Sequence, residues 1–441
     1  MGLKTGIAKR LTAPGLAARA VTLELLAQVL DARTPLDEAL ANNPVLKGLS
    51  PADRAFARHV TATTLRRLGQ IDALIDLCLN KPLPSRAQDV RYVLRTGVAQ
   101  LLFLETSAHA AVDIAVTLAD VYGFSAQKGF VNAVLRRIAK EGTAWLAVQD
   151  AARLNTPDWL WRSWCAAYGE NTARAIARAH LAEPPLDITV KDDPAAWAEK
   201  LDGIVLANGS VRRTAGGRID TLPGFTDGAW WVQDAAAALP AHLLGIVSGK
   251  RVIDLCAAPG GKTAQLCHAG AEVIAVDRSQ TRLNVLLGNL ERLGLNAATV
   301  ATDALTWRPD DPADAVLLDA PCTATGTLRR HPDIAWLKSA EDVASLAGRQ
   351  AALLGAAADM VKPGGLLVFC TCSLQPEEGP ERIAAFLDDH PDFERVPVAP
   401  AELFRLDGWL TGDGDLRTLP CHLSEQGGLD GFFASRLRRT R

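Results

Sequence analysis

The alternation of short apolar runs with helical segments after residue 250 is the feature that most constrains the fold of this chain. Five apolar runs occur, at residues 251–256, 272–276, 298–302, 314–318 and 365–370. Helical segments lie between them at about 262–269, 279–293 and 341–360. Strands and helices that alternate in this way predict a parallel sheet covered by helices on both faces. Ligands of such sheets bind beyond the carboxyl ends of the strands, where functional residues are therefore expected.

The residues before this alternation predict two further regions. Apolar residues at helical spacing predict helices at 17–30, 51–68, 71–79, 86–104, 109–121 and 127–141. Residues 150–240 mix a predicted helix at 157–182, a strand at 186–191 and a helix at 194–201. We therefore predict a multidomain chain: an all-helical domain over 1–148, a small α+β connector over 149–240 and an α/β Rossmann-like domain over 241–441.

The composition is that of a globular protein, with 48% hydrophobic and 22% charged residues among 441. No uncharged apolar run reaches the roughly 18 residues of a membrane span, and Arg19 and Glu24 interrupt any signal peptide. The eight cysteines form no Cys-x-x-Cys pair, so we expect reduced thiols in the cytoplasm and no bound metal. Residues 1–150 hold 18 basic and 13 acidic side chains, which favours a polyanionic partner, although small local imbalances are common.

A glycine-rich turn joins the first apolar run to the next helix, and it reads Asp-Leu-Cys-Ala-Ala-Pro-Gly-Gly-Lys-Thr over Asp254–Thr263. Small residues let a ligand approach the backbone, and a helix N-terminus offers N–H groups to a carboxylate. Asp277 and Asp303 follow the next two runs, where acids can bind a ribose or an adenine edge. The turn matches neither a Walker P-loop nor G-x-G-x-x-G. The pattern favours S-adenosylmethionine as ligand, and a purely structural turn is the alternative.

Two cysteine-bearing segments follow the fourth and fifth runs: Asp319-Ala-Pro-Cys322 and Cys370-Thr-Cys372-Ser373. Cytosine C5 is a poor nucleophile, but a thiolate that adds to C6 makes an enamine whose C5 can attack a methyl sulfonium. Asp319 is a candidate to protonate or hydrogen-bond N3 during that addition. Which cysteine reacts stays open at this point, because Cys370 and Cys372 would share one face of a regular strand. A redox disulfide is a further alternative.

Several charged and aromatic residues near these segments have more than one interpretation. Arg329, Arg330 and Lys262 are candidates to lower the pKa of a thiol, and Arg329-Arg330-His331 could hold RNA phosphates. A solvated charged turn is the alternative for that run. Trp230-Trp231 favours a connector core over an RNA-stacking surface.

At these residues the chain resembles the Sun/RsmB family of RNA cytosine-C5 methyltransferases. The likeness extends over Asp254–Thr263, Asp277, Asp303, Asp319–Cys322, Arg329–Asp333, Thr371–Ser373, Pro376–Glu378 and the closing Asp430–Phe433 with Arg436 and Arg438. The N-terminal part resembles the antitermination factor NusB over 101–104, 110–121 and 130–137, which narrows the resemblance to the RsmB branch. One departure is Ala324, which stands where the family often has a glycine and makes the Pro-Cys loop stiffer.

The resemblance implies roles for these residues. Cys372 is the implied nucleophile and Cys322 the implied helper in product release. The implied cofactor is S-adenosyl-L-methionine, with contacts from Cys256, Ala257, Ala258, Pro259, Gly260, Gly261, Lys262, Asp277, Asp303 and Asp319.

The resemblance also implies a substrate, which is a cytosine of 16S ribosomal RNA, conventionally position 967. That base would be unpaired or flipped out of its helix, in naked RNA or in a small-subunit assembly intermediate. We expect a monomer that acts in the cytoplasm, away from membranes and without a metal. A tRNA cytosine-C5 methyltransferase and a non-catalytic RNA-binding adaptor are the alternative functions. A DNA enzyme is disfavoured by the arrangement of the two thiols.

Overall fold

The computed structural model describes residues 15–83, 88–214, 216–404 and 408–441. By compactness these residues form two units, one made of 15–181 with 330–339 and the other of 182–329 with 340–441. Compactness thus groups residues 149–181 with the helices and 182–240 with the large sheet. The division of the chain at 148 and 240 stays a prediction.

The helices of the described residues are α1 (Leu16–Leu30), α2 (Leu36–Asn42), α3 (Pro44–Gly48), α4 (Pro51–Arg66), α5 (Leu68–Leu77), α6 (Gln88–Leu102), α7 (Ala108–Val121), α8 (Lys128–Ala147), α9 (Ala151–Leu154), α10 (Asp158–Tyr168), α11 (Glu170–Ala179), α12 (Pro194–Lys200), α13 (Ala235–His242), α14 (Gly261–His268), α15 (Gln280–Leu293), α16 (Ile334–Leu337), α17 (Ala340–Ala358) and α18 (Pro380–Asp389). The start of the helix predicted at 86–104 lies outside the described residues. None of the described helices is long and apolar enough to cross a bilayer.

The strands are β1 (Leu186–Val190), β2 (Gly203–Val205), β3 (Val211–Arg213), β4 (Trp230–Val232), β5 (Arg251–Leu255), β6 (Glu272–Asp277), β7 (Ala298–Ala301), β8 (Ala313–Asp319), β9 (Val361–Thr371), β10 (Phe393–Arg395), β11 (Leu416–Thr418) and β12 (Phe432–Arg439). The first four form an antiparallel sheet in the order β2-β3-β1-β4. The others form the large sheet, in the order β10-β12-β9-β8-β5-β6-β7, with β11 paired to β12.

The helical unit is built around α1, which is buried on most of its surface, including Leu23 and Leu26. A helix that is apolar on nearly every side packs in the centre of a bundle. The start of α4 follows from its sequence, because Ser50 accepts a hydrogen bond from the backbone N–H of Asp53 and Pro51 occupies the first turn. These features confirm the prediction of an all-helical N-terminal region.

A ten-residue segment, 330–339, also packs in the helical unit, although it follows the Pro-Cys segment in sequence. The backbone N–H of Leu36 donates to Asp333 at 2.9 Å. The indole N–H of Trp336 donates to the carbonyl of Leu65 at 2.9 Å. The sequence pattern did not predict that residues 330–339 pack in the helical unit, because the contacts join residues about 300 positions apart.

Strand β4 of the small antiparallel sheet carries the adjacent tryptophans Trp230 and Trp231. Trp230 is fully buried with Ile188 and Val211. Trp231 packs on the opposite side, in the cluster that contains Leu283 of α15. The prediction that Trp230 and Trp231 belong to the hydrophobic core is confirmed, because both side chains are buried.

The large sheet is parallel over β9, β8, β5, β6 and β7, as the alternation predicted. Alternate residues of β9 enter different cores, with Val368 in one and Leu367 and Phe369 in the other. This strand is therefore buried on both faces. The closing strand β12 differs from the rest, because it runs antiparallel to β9 and to β10. The chain thus ends in a mixed sheet of Rossmann-like type.

Candidate functional site

The carboxyl ends of β5, β8 and β9 lie at one edge of the large sheet. Leu255 of β5 pairs with Leu318 of β8, and Asp319 pairs with Cys370 of β9. The segments that follow these residues carry the glycine-rich turn and the two cysteine-bearing segments. The register therefore brings the predicted cofactor residues and the predicted reactive residues to the same edge.

The glycine-rich turn is held in shape by its backbone. Gly260 has φ 102°, and a Cβ at this position would lie 2.7 Å from Leu286 Cγ, so a side chain is excluded there. Cys256 also has a positive φ, at 60°. Helix α14 begins at Gly261, and its first N–H groups face the turn. Ala257 is tied to β6 by a hydrogen bond from its N–H to the carbonyl of Val276, at 3.1 Å.

Two acids beside the turn are arranged differently. The carboxylate of Asp277 accepts from the backbone N–H of Ser279 at 2.9 Å and from that of Ala258 at 3.3 Å. Asp254 accepts from the hydroxyl of Thr263 at 2.6 Å through Oδ2, whereas its buried Oδ1 has no partner among the described residues. Burial raises the pKa of Asp254 to about 7. Asp303 follows β7 and accepts from the N–H of Leu305 at 3.1 Å.

These groups fit S-adenosylmethionine. The N-terminus of α14 offers N–H groups to a carboxylate, and the unpartnered Oδ1 of Asp254 offers an acceptor to an ammonium group. Asp277 keeps capacity for a ribose, because a carboxylate has about four acceptor sites. Asp303 is half-buried at the next strand end, where an adenine edge would lie. Among the residues that the structure describes, no cluster of three side chains could hold a metal ion.

Asp319, at the end of β8, forms an ion pair with Lys262 from the glycine-rich turn. The Lys262 ammonium donates to Asp319 Oδ2 at 2.7 Å and lies 4.9 Å from the centre of the Phe432 ring. Burial lowers the pKa of Lys262, but the neighbouring Asp319 outweighs it and the pKa ends above its ordinary value. Lys262 therefore stays charged, and the pair offers one anionic acceptor and one cationic donor at the same place.

The three cysteines of the two cysteine-bearing segments, Cys322, Cys370 and Cys372, have distinct environments. Cys370 is fully buried and its thiol donates to Asp319 at 3.5 Å. Burial, and then the Asp319 charge, raise the pKa of Cys370 well above its ordinary value. Strand β9 ends at Thr371, so the alternation of the strand does not extend to Cys372. The Cys372 sulfur lies instead 3.5 Å from that of Cys322.

The two sulfurs of Cys322 and Cys372 lie within hydrogen-bonding distance of each other. The hydrogen bond with Cys372 and then burial raise the pKa of Cys322 well above its ordinary value. The contact between the two sulfurs has no fixed direction, because either thiol can be its donor. Both thiols are free and half-buried. The arrangement places two reduced thiols side by side at the cofactor-binding edge of the sheet.

The two cysteine-bearing segments are tied by hydrogen bonds. The N–H of Gly326 donates to the carbonyl of Cys372 at 2.9 Å, and the N–H of Leu374 donates to the Thr325 hydroxyl at 2.9 Å. A Cβ at Gly326 would lie 2.0 Å from the carbonyl oxygen of Gly431, so this position requires glycine. Ala324 adopts a left-handed conformation with φ 58°.

The prediction that Arg329 contacts RNA or a reactive thiol is wrong. Its side chain is buried, and the guanidinium donates to Asp234 at 3.1 Å and to Asp430 at 3.5 Å. It also donates to the carbonyl of Gly427 at 2.5 Å. Arg330, by contrast, is exposed and belongs to the helical unit. A run of cations in a sequence does not show that one of them has buried acidic partners far along the chain.

Comparisons with known proteins identify relatives over most of the chain. Residues 241–438 match the family model of the 16S rRNA methyltransferases RsmB/F, and residues 16–140 match the NusB family. The chain is 34% identical over 417 residues to ribosomal RNA small subunit methyltransferase B of Klebsiella pneumoniae, covering 90% of this chain and 96% of that protein. The identity is 35% over 446 residues with the protein of the same name from Pseudomonas putida, covering 95% and 98%.

A solved structure also shares the fold. The crystal structure of PH0851 superposes with a TM-score of 0.74 at 23% identity, covering 97% of this chain and 100% of that one. The site and the sheet define a methyltransferase of the Rossmann-like class. The chain belongs to the ribosomal RNA small subunit methyltransferase B family, and its cofactor is S-adenosyl-L-methionine.

Proposed function

We propose that this chain, as a 16S rRNA methyltransferase, methylates C5 of a cytosine, with position 967 as the expected target. The observation that carries the proposal is the Cys322–Cys372 pair, with sulfurs 3.5 Å apart, beside the Asp319–Lys262 ion pair at the cofactor edge. A methyltransferase that acts on an amino nitrogen needs no thiol, whereas a cytosine C5 must first be activated by a nucleophile at C6.

Cys372 is the nucleophile in this proposal. Its thiolate forms a bond to C6, and the electrons of the C5–C6 double bond form a C4–C5 double bond. The electrons of the C4–N3 double bond move to N3, which takes a proton or a strong hydrogen bond. Asp319 and Lys262 act at that ring edge, because Lys262 has N–H donors for N3 and Asp319 an acceptor for the exocyclic amine. The glycine-rich turn, Asp277 and Asp303 would hold S-adenosyl-L-methionine, which would supply the methyl group that C5 takes up.

Cys322 assists the release of the product. After methylation the C4–N3 double bond forms again and N3 gives back any proton that it took. The C5 proton passes to solvent, the C5–C6 double bond forms again and the bond between C6 and the Cys372 sulfur breaks. The departing Cys372 sulfur then accepts a hydrogen bond from the Cys322 thiol, which stabilises the sulfur as a leaving group and returns Cys372 to its thiolate form. A helper of this kind must carry a proton at neutral pH, which agrees with the raised pKa of Cys322.

The test combines tritiated S-adenosylmethionine and the purified chain with protein-free 16S rRNA, a small-subunit assembly intermediate and bulk tRNA, with bisulfite mapping of labelled RNA. We expect a single 5-methylcytosine at position 967 of 16S rRNA, formed by the chain as a monomer. Cys372→Ala abolishes the label, whereas Cys165→Ala, a half-buried thiol in α10 of the helical unit, leaves it unchanged.

Other outcomes would change the proposal. Label in tRNA alone would keep the chemistry and reject the ribosomal substrate. Cofactor binding without label in any RNA would support the non-catalytic adaptor instead. Label at another atom of the base, or full activity of Cys372→Ala, would reject the covalent mechanism.

We further propose that the chain acts in the cytoplasm, because its expected substrate is ribosomal RNA.

A further inference from the structure

One buried carboxylate near the thiols has no part in the mechanism above. Glu378 ends a short 3-10 turn, Pro376–Glu378, that follows β9. Its side chain is fully buried. A buried carboxylate is costly unless donors match its acceptor sites. Here four donors do so, from Thr323 twice, Gln350 and Ser373.

The two oxygens of this carboxylate divide the donors between them. Oε1 accepts from the backbone N–H of Thr323 at 2.9 Å and from the Gln350 amide at 3.0 Å. Oε2 accepts from the hydroxyls of Ser373 and Thr323. We call these four residues (Thr323, Gln350, Ser373 and Glu378) the carboxylate clasp.

The clasp joins the two segments that carry the thiols. Thr323 directly follows Cys322, and Ser373 directly follows Cys372. Gln350 of α17 also donates to the carbonyl of Pro321, the residue before Cys322, at 3.0 Å. A single carboxylate thus fixes the neighbours of both sulfurs, and the donors belong to three segments that are distant in sequence.

We infer that Glu378 is a positioning residue that keeps the Cys322 thiol against the Cys372 sulfur, so that product release follows methyl transfer. The inference rests on the proposed function. Glu378 is too deeply buried to touch the RNA, and it acts through the two segments that it links. Loss of the clasp leaves Cys372 able to form the adduct with C6, because β12 still pairs with β9 up to Thr371, the residue before Cys372. Cys322 then lies out of place to help resolve that adduct.

Three variants separate positioning from folding. Glu378→Ala removes all four hydrogen bonds. Glu378→Gln keeps an acceptor for the two N–H donors, and its amide can donate to the two hydroxyls, which also accept. Glu377→Gln is the matched control, because Glu377 is adjacent and exposed. If Glu378→Ala does not fold, Thr323→Val is the milder variant, which removes one hydroxyl at nearly constant volume.

The experiment measures multiple-turnover methylation of 16S rRNA, the RNA–protein adduct on a denaturing gel, and binding of S-adenosylhomocysteine by calorimetry. For Glu378→Ala we expect an accumulated adduct, turnover reduced on the order of 100-fold and unchanged binding. Glu378→Gln restores turnover to within about tenfold of the wild type, and Glu377→Gln behaves as the wild type. Thr323→Val gives a smaller accumulation of the same adduct.

Two results would overturn the inference. One is normal turnover without adduct in Glu378→Ala, or in Thr323→Val if the first variant does not fold. The other is a joint loss of S-adenosylhomocysteine binding and adduct in a folded variant, which would show that Glu378 supports the whole site and does not act on Cys322 alone. If the wild type itself methylates no cytosine, the proposed function and the inference both fall. If the wild type is active and loses activity with Cys372→Ala, the variants at Glu378 decide the inference alone.

Discussion

The site has two neighbouring parts that are built by different means. The cofactor edge, at the ends of β5, β6 and β7, is shaped by backbone conformation, with positive φ at Cys256 and Gly260. The thiol edge, at the ends of β8 and β9, is shaped by buried side chains such as Glu378. The backbone conformation of the cofactor edge is set by residues close together in sequence. The thiol edge depends instead on contacts between residues some 50 positions apart.

The strongest contrast between the edges comes from two matched amide substitutions. Asp319→Asn at the thiol edge removes the ion pair with Lys262, so we expect single-turnover methyl transfer at saturating cofactor to fall by roughly 10²–10⁴-fold. Asp277→Asn at the cofactor edge should raise the KM for S-adenosylmethionine about tenfold and change kcat little. Rapid-quench kinetics with tritiated cofactor measure both. A pure KM effect in Asp319→Asn would show that the edges do not divide binding from chemistry.

A second contrast concerns what holds the thiol edge in place. Arg329 follows the Pro-Cys loop and is buried between Asp234 and Asp430. Arg329→Ala would leave the buried carboxylates of Asp234 and Asp430 without their cation. It should therefore lower the free energy of unfolding by about 3–5 kcal/mol. Arg330→Ala, next along the chain but exposed, should change it by less than about 1 kcal/mol. Urea unfolding measures both, and equal effects would contradict the assigned burial.

At the cofactor edge, the raised pKa of Asp254 predicts a pH-dependent stability. Burial raises its pKa in the folded state to about 7, above the ordinary 3.8. Below about pH 4 the carboxyl is protonated in both states and has no effect. As the pH rises to about 7 the unfolded state ionises first, so stability is lost progressively, by up to about 4 kcal/mol.

The measurement is urea unfolding of the cofactor-free protein at pH 4 and pH 8. Asp254→Asn keeps an acceptor for Thr263 and removes the charge, so its stability relative to the wild type should increase between these two pH values. Asp310→Asn is the control, because Asp310 is exposed and its carboxylate should contribute little. Parallel pH profiles of Asp254→Asn and the wild type would show that Asp254 ionises normally.

The smallest predicted effect lies in the Pro-Cys loop. Ala324 has φ 58°, a left-handed conformation that costs a residue with a Cβ about 1–2 kcal/mol. Ala324→Gly removes this cost but gains entropy in the unfolded state, so we expect a net stabilisation of about 0.5–1 kcal/mol. Thermal unfolding measures it. A destabilised Ala324→Gly would mean that contacts of the methyl group outweigh the backbone strain.

The sequence predicted the elements that depend on local patterns. The five parallel strands, most helices and the core position of Trp230-Trp231 follow from periodicity and composition within short windows. The burial of Arg329, the position of residues 330–339 and the antiparallel direction of β12 were not predicted. Each of these depends on partners far along the chain. The sequence placed Glu378 in a family motif but did not predict its buried hydrogen bonds, because their donors come from three separate segments.

The most direct test of the covalent mechanism compares the two thiols on the same RNA. Wild type, Cys322→Ala and Cys372→Ala are each incubated with 16S rRNA and S-adenosylmethionine and separated on a denaturing gel. The account predicts a shifted RNA–protein band for Cys322→Ala, since Cys372 still attacks C6 but is not released. Cys372→Ala should give neither adduct nor 5-methylcytosine. An adduct formed by Cys372→Ala, and none by Cys322→Ala, would reverse the two roles and contradict the account.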